Sequence, residues 1–202
     1  MTVFYVVRHA HTDWIDRGIP GWTPGVQLNA QGRMEARRLA ERFPKGSISA
    51  IFSSPLERTR ETAEPLAERL GLEVALREDL GEVHCGEWTG LRFSEIPHEE
   101  IEDLFNSFRT GQCIPGGESI TDIRERMVSC FNEICGLYPD KSVVIFSHGD
   151  PIRAIVSHYA GMPPEFYHRL EISPCSVTIL KVSGNSTLIG ALNDRGTFEL
   201  TG

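Results

Sequence analysis

The segment Val3–Val7 is an apolar run that ends abruptly at Arg8 and His9. Successive side chains of a strand point to opposite faces of the sheet, so a strand that is apolar at every position must be covered on both faces. Such strands are typical of the centre of a parallel sheet with helices on each side. Val143–Phe146 has the same character. These two runs restrict the chain to a layered α/β fold more strongly than any other feature.

The remaining patterns alternate between strand and helix along the 202 residues, without an internal repeat. We therefore predict an α/β fold, a layered sandwich with a mostly parallel central sheet of about six strands flanked by helices, as one domain over residues 1–202. The predicted strands are Val3–Val7, Ile48–Phe52, Glu73–Leu76, Val143–Phe146, Ser176–Val182 and Thr187–Leu192.

Local signals predict where several helices begin and end. Ser54 precedes Pro55 and lies three residues before Glu57, which is the pattern of a serine cap, a proline in the first turn and a capping box. Ser119 makes a similar start for a helix whose apolar residues recur at helical spacing. Pro65 falls inside the first of these helices and predicts a kink or break there.

Two further helices are predicted, one over Ala30–Phe43 and one that starts at Asp150-Pro151 and ends near Gly161. The stretch 86–118 has the least regular pattern, and the part from Gly111 to Gly117 is typical of a loop. We expect residues 86–118 to form an irregular insertion or lid over a site.

Polar residues follow three of the predicted strands. Arg8-His9 follows the first strand, Arg58 lies one helical turn beyond the second, and His148-Gly149 follows the fourth. The carboxyl ends of parallel strands lie along one edge of a sheet, where ligands bind and helix N-termini present free N–H groups. Taken singly, each residue could be a strand-end charge or a satisfied polar group. Together they predict an anion site, most simply a phosphate site.

The ordered motifs Arg8-His9-Ala10-His11-Thr12, Ser54–Thr62, "GEVHCGEWTG", "PGGES" and "SHGD" resemble those of the histidine phosphatase superfamily, the phosphoglycerate mutase-like group. The resemblance covers the chain from residue 3 to about 195 and is specific because the motifs keep the family's order. The chain looks most like a branch of probable phosphomutases or phosphatases with an "RHAHT" motif. The family implies a phosphoglycerate mutase-like fold.

The resemblance implies that His9 is a nucleophile that forms a phosphohistidine, with its other ring nitrogen bound to a backbone carbonyl. It implies that Arg8, Arg58 and His148 surround the phosphoryl group, whose oxygens the guanidinium forks can bind in pairs. Glu82 occupies the position of the acid that protonates the leaving group. Two further residues are expected to contact substrate, Thr12 and Gly149.

Several positions depart from the family pattern. Ala10 stands where glycine is usual, and His11 stands where glutamate or glutamine is common. Ile15 replaces an asparagine that contacts phosphate in many members, and Asp150 replaces the asparagine that often follows His-Gly. These departures predict a phosphate pocket that is built differently in part.

The choice between phosphatase and mutase depends on the leaving-group side. Related mutases continue after the acid with arginine and tyrosine, whereas this chain continues from Glu82 with valine and histidine. Between Gly86 and Glu118 the fixed positive charges are Arg92 and Arg109, and acidic residues outnumber them. We therefore expect a phosphohydrolase acting on a small phosphomonoester, with phosphoglycerate mutase-type transfer as the alternative. The loop from residue 91 to residue 117 is expected to line a neutral or weakly charged leaving group, with Trp22 or Trp88 contributing.

Two other classes of function remain open. A metal hydrolase would use His9, His11, Asp13 and His148 as ligands, although this leaves Arg8 and Arg58 without a role. A binding or scaffold module would keep the phosphate site without catalysis. The resemblance itself implies no metal and no cofactor.

The bulk properties limit the partners. The net charge of −8 argues against binding to nucleic acid or to an anionic membrane. The five cysteines include no Cys-x-x-Cys pair and are typical of free thiols in a reducing cytosol, and the N-terminus lacks the pattern of a signal peptide. We expect a cytoplasmic enzyme whose partner is a small molecule, and the sheet edges leave room for a homodimer.

Overall fold

The computed structural model describes residues 1–109, 112–184 and 186–196. Six strands form the main sheet. Across the sheet their order is β4 (Val74–Leu76), β3 (Ala50–Ser53), β6 (Ser142–Ser147), β1 (Thr2–Arg8), β7 (Val177–Ser183) and β8 (Ser186–Asp194). Strands β1, β3, β4 and β6 are parallel to their neighbours within that group, and β7 and β8 extend the sheet antiparallel.

All six predicted strands are present, and the mostly parallel α/β sheet is confirmed. Strand β1 lies between β6 and β7, and it is buried on both faces. Phe4 and Val6 face one hydrophobic cluster, whereas Tyr5 and Val7 face the other. The fully apolar run therefore reflects a strand that is covered on both sides, as predicted.

Helices cover the two faces of the sheet. Helices α1 (Ala30–Glu41) and α2 (Glu57–Leu70) pack on the face of Tyr5 and Val7, and α4 (Ile120–Leu137) and α5 (Gly149–Tyr159) pack on the opposite face. In the described residues, no helix combines the length and apolar character needed to cross a membrane.

The start of α4 is as predicted: Ser119 is its N-cap and forms a complete capping box with Asp122. Gly161 follows the end of α5 in the left-handed conformation, with φ of 63°. The α5 start differs slightly, because His148 is the cap residue and the helix begins at Gly149 rather than at Asp150-Pro151.

The predicted serine cap of α2 is wrong, and the helix is not broken at Pro65. Its cap residue is Leu56, which makes no side-chain capping bond, and Ser54 lies two residues outside the helix cap. Pro65 lies inside α2, yet the helix continues through it from Glu57 to Leu70. Pro65 has no N–H donor, but the buried neighbours Ala63 and Leu66 pack against the core and keep this turn helical.

The stretch 86–118 is more regular than its pattern indicates. It contains α3 (His98–Arg109), while residue 110 and the first residue of the predicted loop, residue 111, lie outside the described residues. A short antiparallel pair, β2 (Gly18–Ile19) with β5 (Leu91–Arg92), joins this stretch to the segment after β1. The stretch therefore stands beside the carboxyl end of the sheet.

Candidate active site

The carboxyl ends of β1, β3 and β6 bring the predicted residues together. His9 follows β1 and His148 follows β6, and their ring centroids are 5.3 Å apart. Arg58 comes from the first turn of α2, after β3, and is fully buried. Glu82 comes from the segment after β4, with its carboxylate 3.9 Å from Arg58 and 3.6 Å from His148. Parallel strand order thus gathers residues that are far apart in the chain.

The ring of His9 is buried and held in one orientation. Its Nδ1 lies 2.8 Å from the carbonyl oxygen of Ala10, so Nδ1 carries the hydrogen and Nε2 keeps its lone pair. Burial, followed by the charges of Arg58 and Arg8, lowers the pKa of His9 well below its ordinary value of 6.5. The ring is therefore neutral at physiological pH, which a nitrogen nucleophile requires.

His148 is fully buried against Ser54, the residue that sequence analysis had assigned to a helix cap. The Ser54 hydroxyl oxygen lies 2.8 Å from His148 Nε2 and accepts a 3.3 Å bond from the Leu56 N–H. This arrangement favours donation of the hydroxyl hydrogen to Nε2, which leaves the hydrogen of the ring on Nδ1. Burial lowers the pKa of His148 well below 6.5, with Arg58 the next cause.

Four buried nitrogen atoms around His9 have no hydrogen-bond partner among the described residues: Arg8 Nε, Arg58 Nε and Nη1, and His148 Nδ1. The other ends of the guanidinium groups are held, since Arg8 Nη1 donates to Ile172 O at 2.7 Å and Arg58 Nη2 donates to Gly21 O at 2.9 Å. Buried donors without partners are costly, so their convergence indicates an anion that completes them.

Glu82 shares this space with the donors. Its carboxylate is too far from Arg58 and His148 for hydrogen bonds, and one oxygen accepts instead from the Val83 N–H at 3.0 Å. Burial raises the pKa of Glu82, the charge of Arg58 opposes this rise, and Asp150 adds to it. A carboxyl with a raised pKa can hold a proton near neutral pH and give it up to a neighbouring group.

Thr12 and Gly149 lie at the margins of this cluster. Thr12 is buried, lines the cavity in front of His9, and accepts a 3.2 Å bond from the Trp14 N–H. Gly149 begins α5, and a methyl group at its Cα would lie 3.5 Å from Arg8 Nε. The structure thus places both predicted residues next to the cluster.

A cavity of about 300 Å³ opens in front of His9, Arg8 and Glu82. Arg58 and His148 are fully buried next to this cavity, with Arg58 and His148 3.9 and 3.6 Å from the Glu82 carboxylate that lines it. Trp88 lines the cavity as expected, whereas Trp22 instead stacks on His84 and donates from Nε1 to Glu82 O at 2.8 Å.

Sequence reasoning missed two arginines at the site. Arg153 lines the cavity and pairs with Asp150 at 2.8 Å, so the cavity has a guanidinium that the count over residues 86–118 did not include. Its spacing of one helical turn from Asp150 was the available signal. Arg126 binds the carbonyl oxygens of Asp79 at 2.8 Å and Glu82 at 3.2 Å. No local pattern indicates the role of Arg126.

The ligand set of the alternative metal-hydrolase function does not assemble. His11 Nδ1 pairs with Glu35 at 2.8 Å, and Asp13 accepts from Asn29 at 3.2 Å, so both side chains have other partners. Among the described residues, the side chains that could hold a metal are His9, Glu82 and His148, whose donor atoms lie within 4.8 Å of one another. Two guanidinium groups beside them disfavour a dication there.

The fold and the site define an α/β protein in which buried donors, without partners among the described residues, lie around a neutral histidine. The chain matches the Histidine phosphatase superfamily (branch 1) over residues 4–195 and belongs to it.

Relatives in this superfamily carry both mutase and phosphatase names. Phosphoglycerate mutase-like protein 4 of Arabidopsis thaliana is 35% identical, over 98% of this chain and 87% of its own length. Phosphoserine phosphatase from Entamoeba histolytica, solved with phosphoserine, superposes with a TM-score of 0.84 at 26% identity, covering 97% of this chain and 98% of that one. A mycobacterial glucosyl-3-phosphoglycerate phosphatase has a TM-score of 0.83 at 28% identity, with coverage of 95% and 98%.

Proposed function

We propose that this protein is a phosphohydrolase that removes phosphate from a small phosphomonoester through a phosphohistidine on His9. The convergence of four unpaired buried donors on a neutral histidine carries the proposal. The superfamily and the two phosphatase neighbours support it.

In the first step, His9 Nε2 attacks phosphorus and the bond between phosphorus and the ester oxygen breaks. Glu82 gives its proton to the leaving oxygen, so the alcohol departs neutral. Arg8, Arg58 and His148 donate to the phosphoryl oxygens as charge spreads over them, and loss of one such donor typically costs about 3 kcal/mol of activation free energy.

In the second step, water attacks the phosphohistidine and Glu82 takes the proton of that water. Phosphate leaves, and His9 and Glu82 return to their starting states. The guanidinium groups stabilise charge in both steps, so the proposed reaction uses no metal and no organic cofactor. We expect full activity after dialysis against a chelator. If activity were lost on dialysis and returned when metal was added, this route would be contradicted. A cytoplasmic location is part of the proposal and fits the five free cysteines.

The test is mass spectrometry after brief mixing with 4-nitrophenyl phosphate and an alkaline quench. We expect phosphate on the peptide that contains His9, and its loss in His9→Ala. His11→Ala is the matched control and should keep the label, because His11 is paired with Glu35 away from the cluster. Turnover without labelled His9 would reject the covalent route.

Mutase-type transfer is the second candidate, and the mutase-like Arabidopsis relative favours it. With 3-phosphoglycerate as substrate, a phosphatase releases inorganic phosphate, whereas a mutase forms 2-phosphoglycerate. Following both products by phosphorus NMR separates the two candidates.

A further inference from the structure

The cavity in front of His9 has two chemically different ends. The charged lining residues lie at the end near the phosphoryl cluster, around Arg8: Asp16, Glu82, Asp150 and Arg153. The other walls are mostly apolar. We call the five rings that they carry, those of Trp14, Trp88, Phe93, Phe105 and Phe108, the aromatic wall.

The aromatic residues of this wall hold one another in place while keeping exposed surface. Phe93 and Phe105 meet edge to face at 6.0 Å, and Trp88 meets Phe108 at 6.4 Å. Phe93, Phe105 and Trp88 are only half-buried, unlike the core residue Phe108. Part of each of these three rings is therefore available to a ligand, and the ring geometry is pre-organised.

A further ring is braced from outside the cavity. The Arg92 guanidinium lies 3.4 Å from the centre of the Trp14 ring, and Trp14 is also half-buried. Arg92 belongs to the short β2–β5 pair, so this contact joins β5 to the segment that follows β1. The cation is used in stacking and does not line the cavity.

The charged residues that line the cavity have partners within the protein, so they do not select a charged leaving group. Arg153 is paired with Asp150 at 2.8 Å and donates from Nε to Leu170 O at 2.9 Å. Arg8 belongs to the phosphoryl cluster. Asp16 also lines the cavity, and its charge acts on Arg8. Among the described lining residues, the cations are Arg8 and Arg153, and neither belongs to the aromatic wall.

We propose that the aromatic wall is a leaving-group subsite, and that the substrate is the phosphomonoester of an alcohol carrying an aromatic ring or a similarly flat apolar group. This inference rests on the proposed phosphohydrolase function. A cavity of about 300 Å³ is at the small end of the ligand-site range, which suits a single ring beside a phosphate.

The first experiment compares alkyl phosphates whose alkoxide leaving groups are similar but whose alcohols differ in polarity. We expect kcat/KM for benzyl phosphate to exceed that for glycerol 3-phosphate and 3-phosphoglycerate by at least about tenfold, because only the ring buries apolar surface. Equal values, or a preference for either polar ester, would overturn the subsite.

Phe105→Ala and Phe93→Ala remove parts of the wall. Each should lower kcat/KM for benzyl phosphate by roughly tenfold and leave glycerol 3-phosphate nearly unchanged. The matched control is Phe166→Ala, since Phe166 is half-buried and contacts Arg169 outside the cavity. Parallel losses on both esters would contradict a leaving-group role.

Binding separates the subsite from the chemistry. Calorimetry with benzylphosphonate and methylphosphonate, which cannot be hydrolysed at the phosphorus–carbon bond, should show at least about tenfold tighter binding of the benzyl compound. If benzylphosphonate binds more tightly but no ester is hydrolysed, the subsite stands and the proposed function fails. If esters are hydrolysed and the two phosphonates bind equally, the proposed function stands and the subsite fails.

Discussion

At the scale of single residues, the position of Glu82 depends on side chains outside the catalytic cluster. Arg126 reaches from α4 and donates to the backbone oxygens of Asp79 and Glu82, and Glu118 fixes Arg126 through bonds of 2.8 and 3.1 Å. Glu118 also accepts from the His84 N–H at 2.9 Å. Arg126 is therefore a positioning residue for the proposed acid.

Arg126→Gln should slow alkyl phosphates about 10²-fold and 4-nitrophenyl phosphate only a few-fold, because only a poor leaving group needs the proton of a well-placed acid. Steady-state kinetics on both ester types measures this. Arg124→Gln on the same helix serves as the control and should change neither. Equal losses on both esters in Arg126→Gln would indicate a general structural defect instead.

The ionised form of Glu82 should lower the free energy of unfolding at neutral and higher pH, although the proposed reaction needs this residue. Its folded-state pKa is raised above the ordinary 4.5 by burial, so ionisation is harder in the folded than in the unfolded protein. The stability associated with its protonated form is present below pH 4.5 and is lost as pH rises through the folded pKa. Glu82→Gln should therefore unfold at a higher urea concentration than the wild type at pH 8, with the difference fading toward pH 4.5. A less stable variant at pH 8 would contradict this.

At the scale of elements, helix α2 holds Arg58 of the catalytic cluster in its first turn and also contains Pro65. A proline in a helix interior lowers the free energy of unfolding by about 3 kcal/mol, because it lacks an N–H donor and its ring clashes with the preceding turn. Proline also restricts the unfolded chain, which raises the free energy of unfolding by up to about 1 kcal/mol. The helix persists because tertiary packing of its apolar face outweighs this cost.

Pro65→Ala should therefore raise the free energy of unfolding by about 2 kcal/mol. Urea denaturation measures it, and Glu68→Ala, at an exposed position of the same helix, is the control with a small expected effect. An unchanged or lower stability would mean that the half-buried proline ring contributes packing that alanine cannot replace.

At the scale of the whole molecule, the sheet edge keeps two histidines neutral in one buried place. The folded-state pKa values of His9 and His148 lie well below 6.5, mainly because of burial. The unfolded chain therefore binds more protons than the folded protein as pH falls below 6.5. Stability that is fully present above pH 6.5 is lost on acidification through the folded pKa values.

We expect the free energy of unfolding to fall by up to about 1.4 kcal/mol per pH unit for each histidine below pH 6.5, offset in part by Glu82. Denaturation at several pH values measures the slope. The double variant His9→Asn, His148→Asn should flatten it, and the control His98→Asn, at an exposed site, should not. An unchanged slope in the double variant would assign acid sensitivity to other groups.

The sequence by itself determined the sheet and the line of polar residues at its edge. Strands β1 and β6 are recognisable because burial on both faces requires an unbroken apolar run, which is a local property. The residues that follow them, Arg8-His9 and His148, must then lie at one edge because parallel strands end together. The capping box at Ser119 is likewise readable from four consecutive residues.

Only the tertiary structure decided which distant side chains meet. Ser54 has the local pattern of a cap but binds His148, which is 94 positions away in the chain. Arg126, Arg153 and the aromatic wall acquire their places from the way helices and the 86–118 segment lie over the sheet. Such contacts depend on packing between elements, and neither periodicity nor capping signals carry that information.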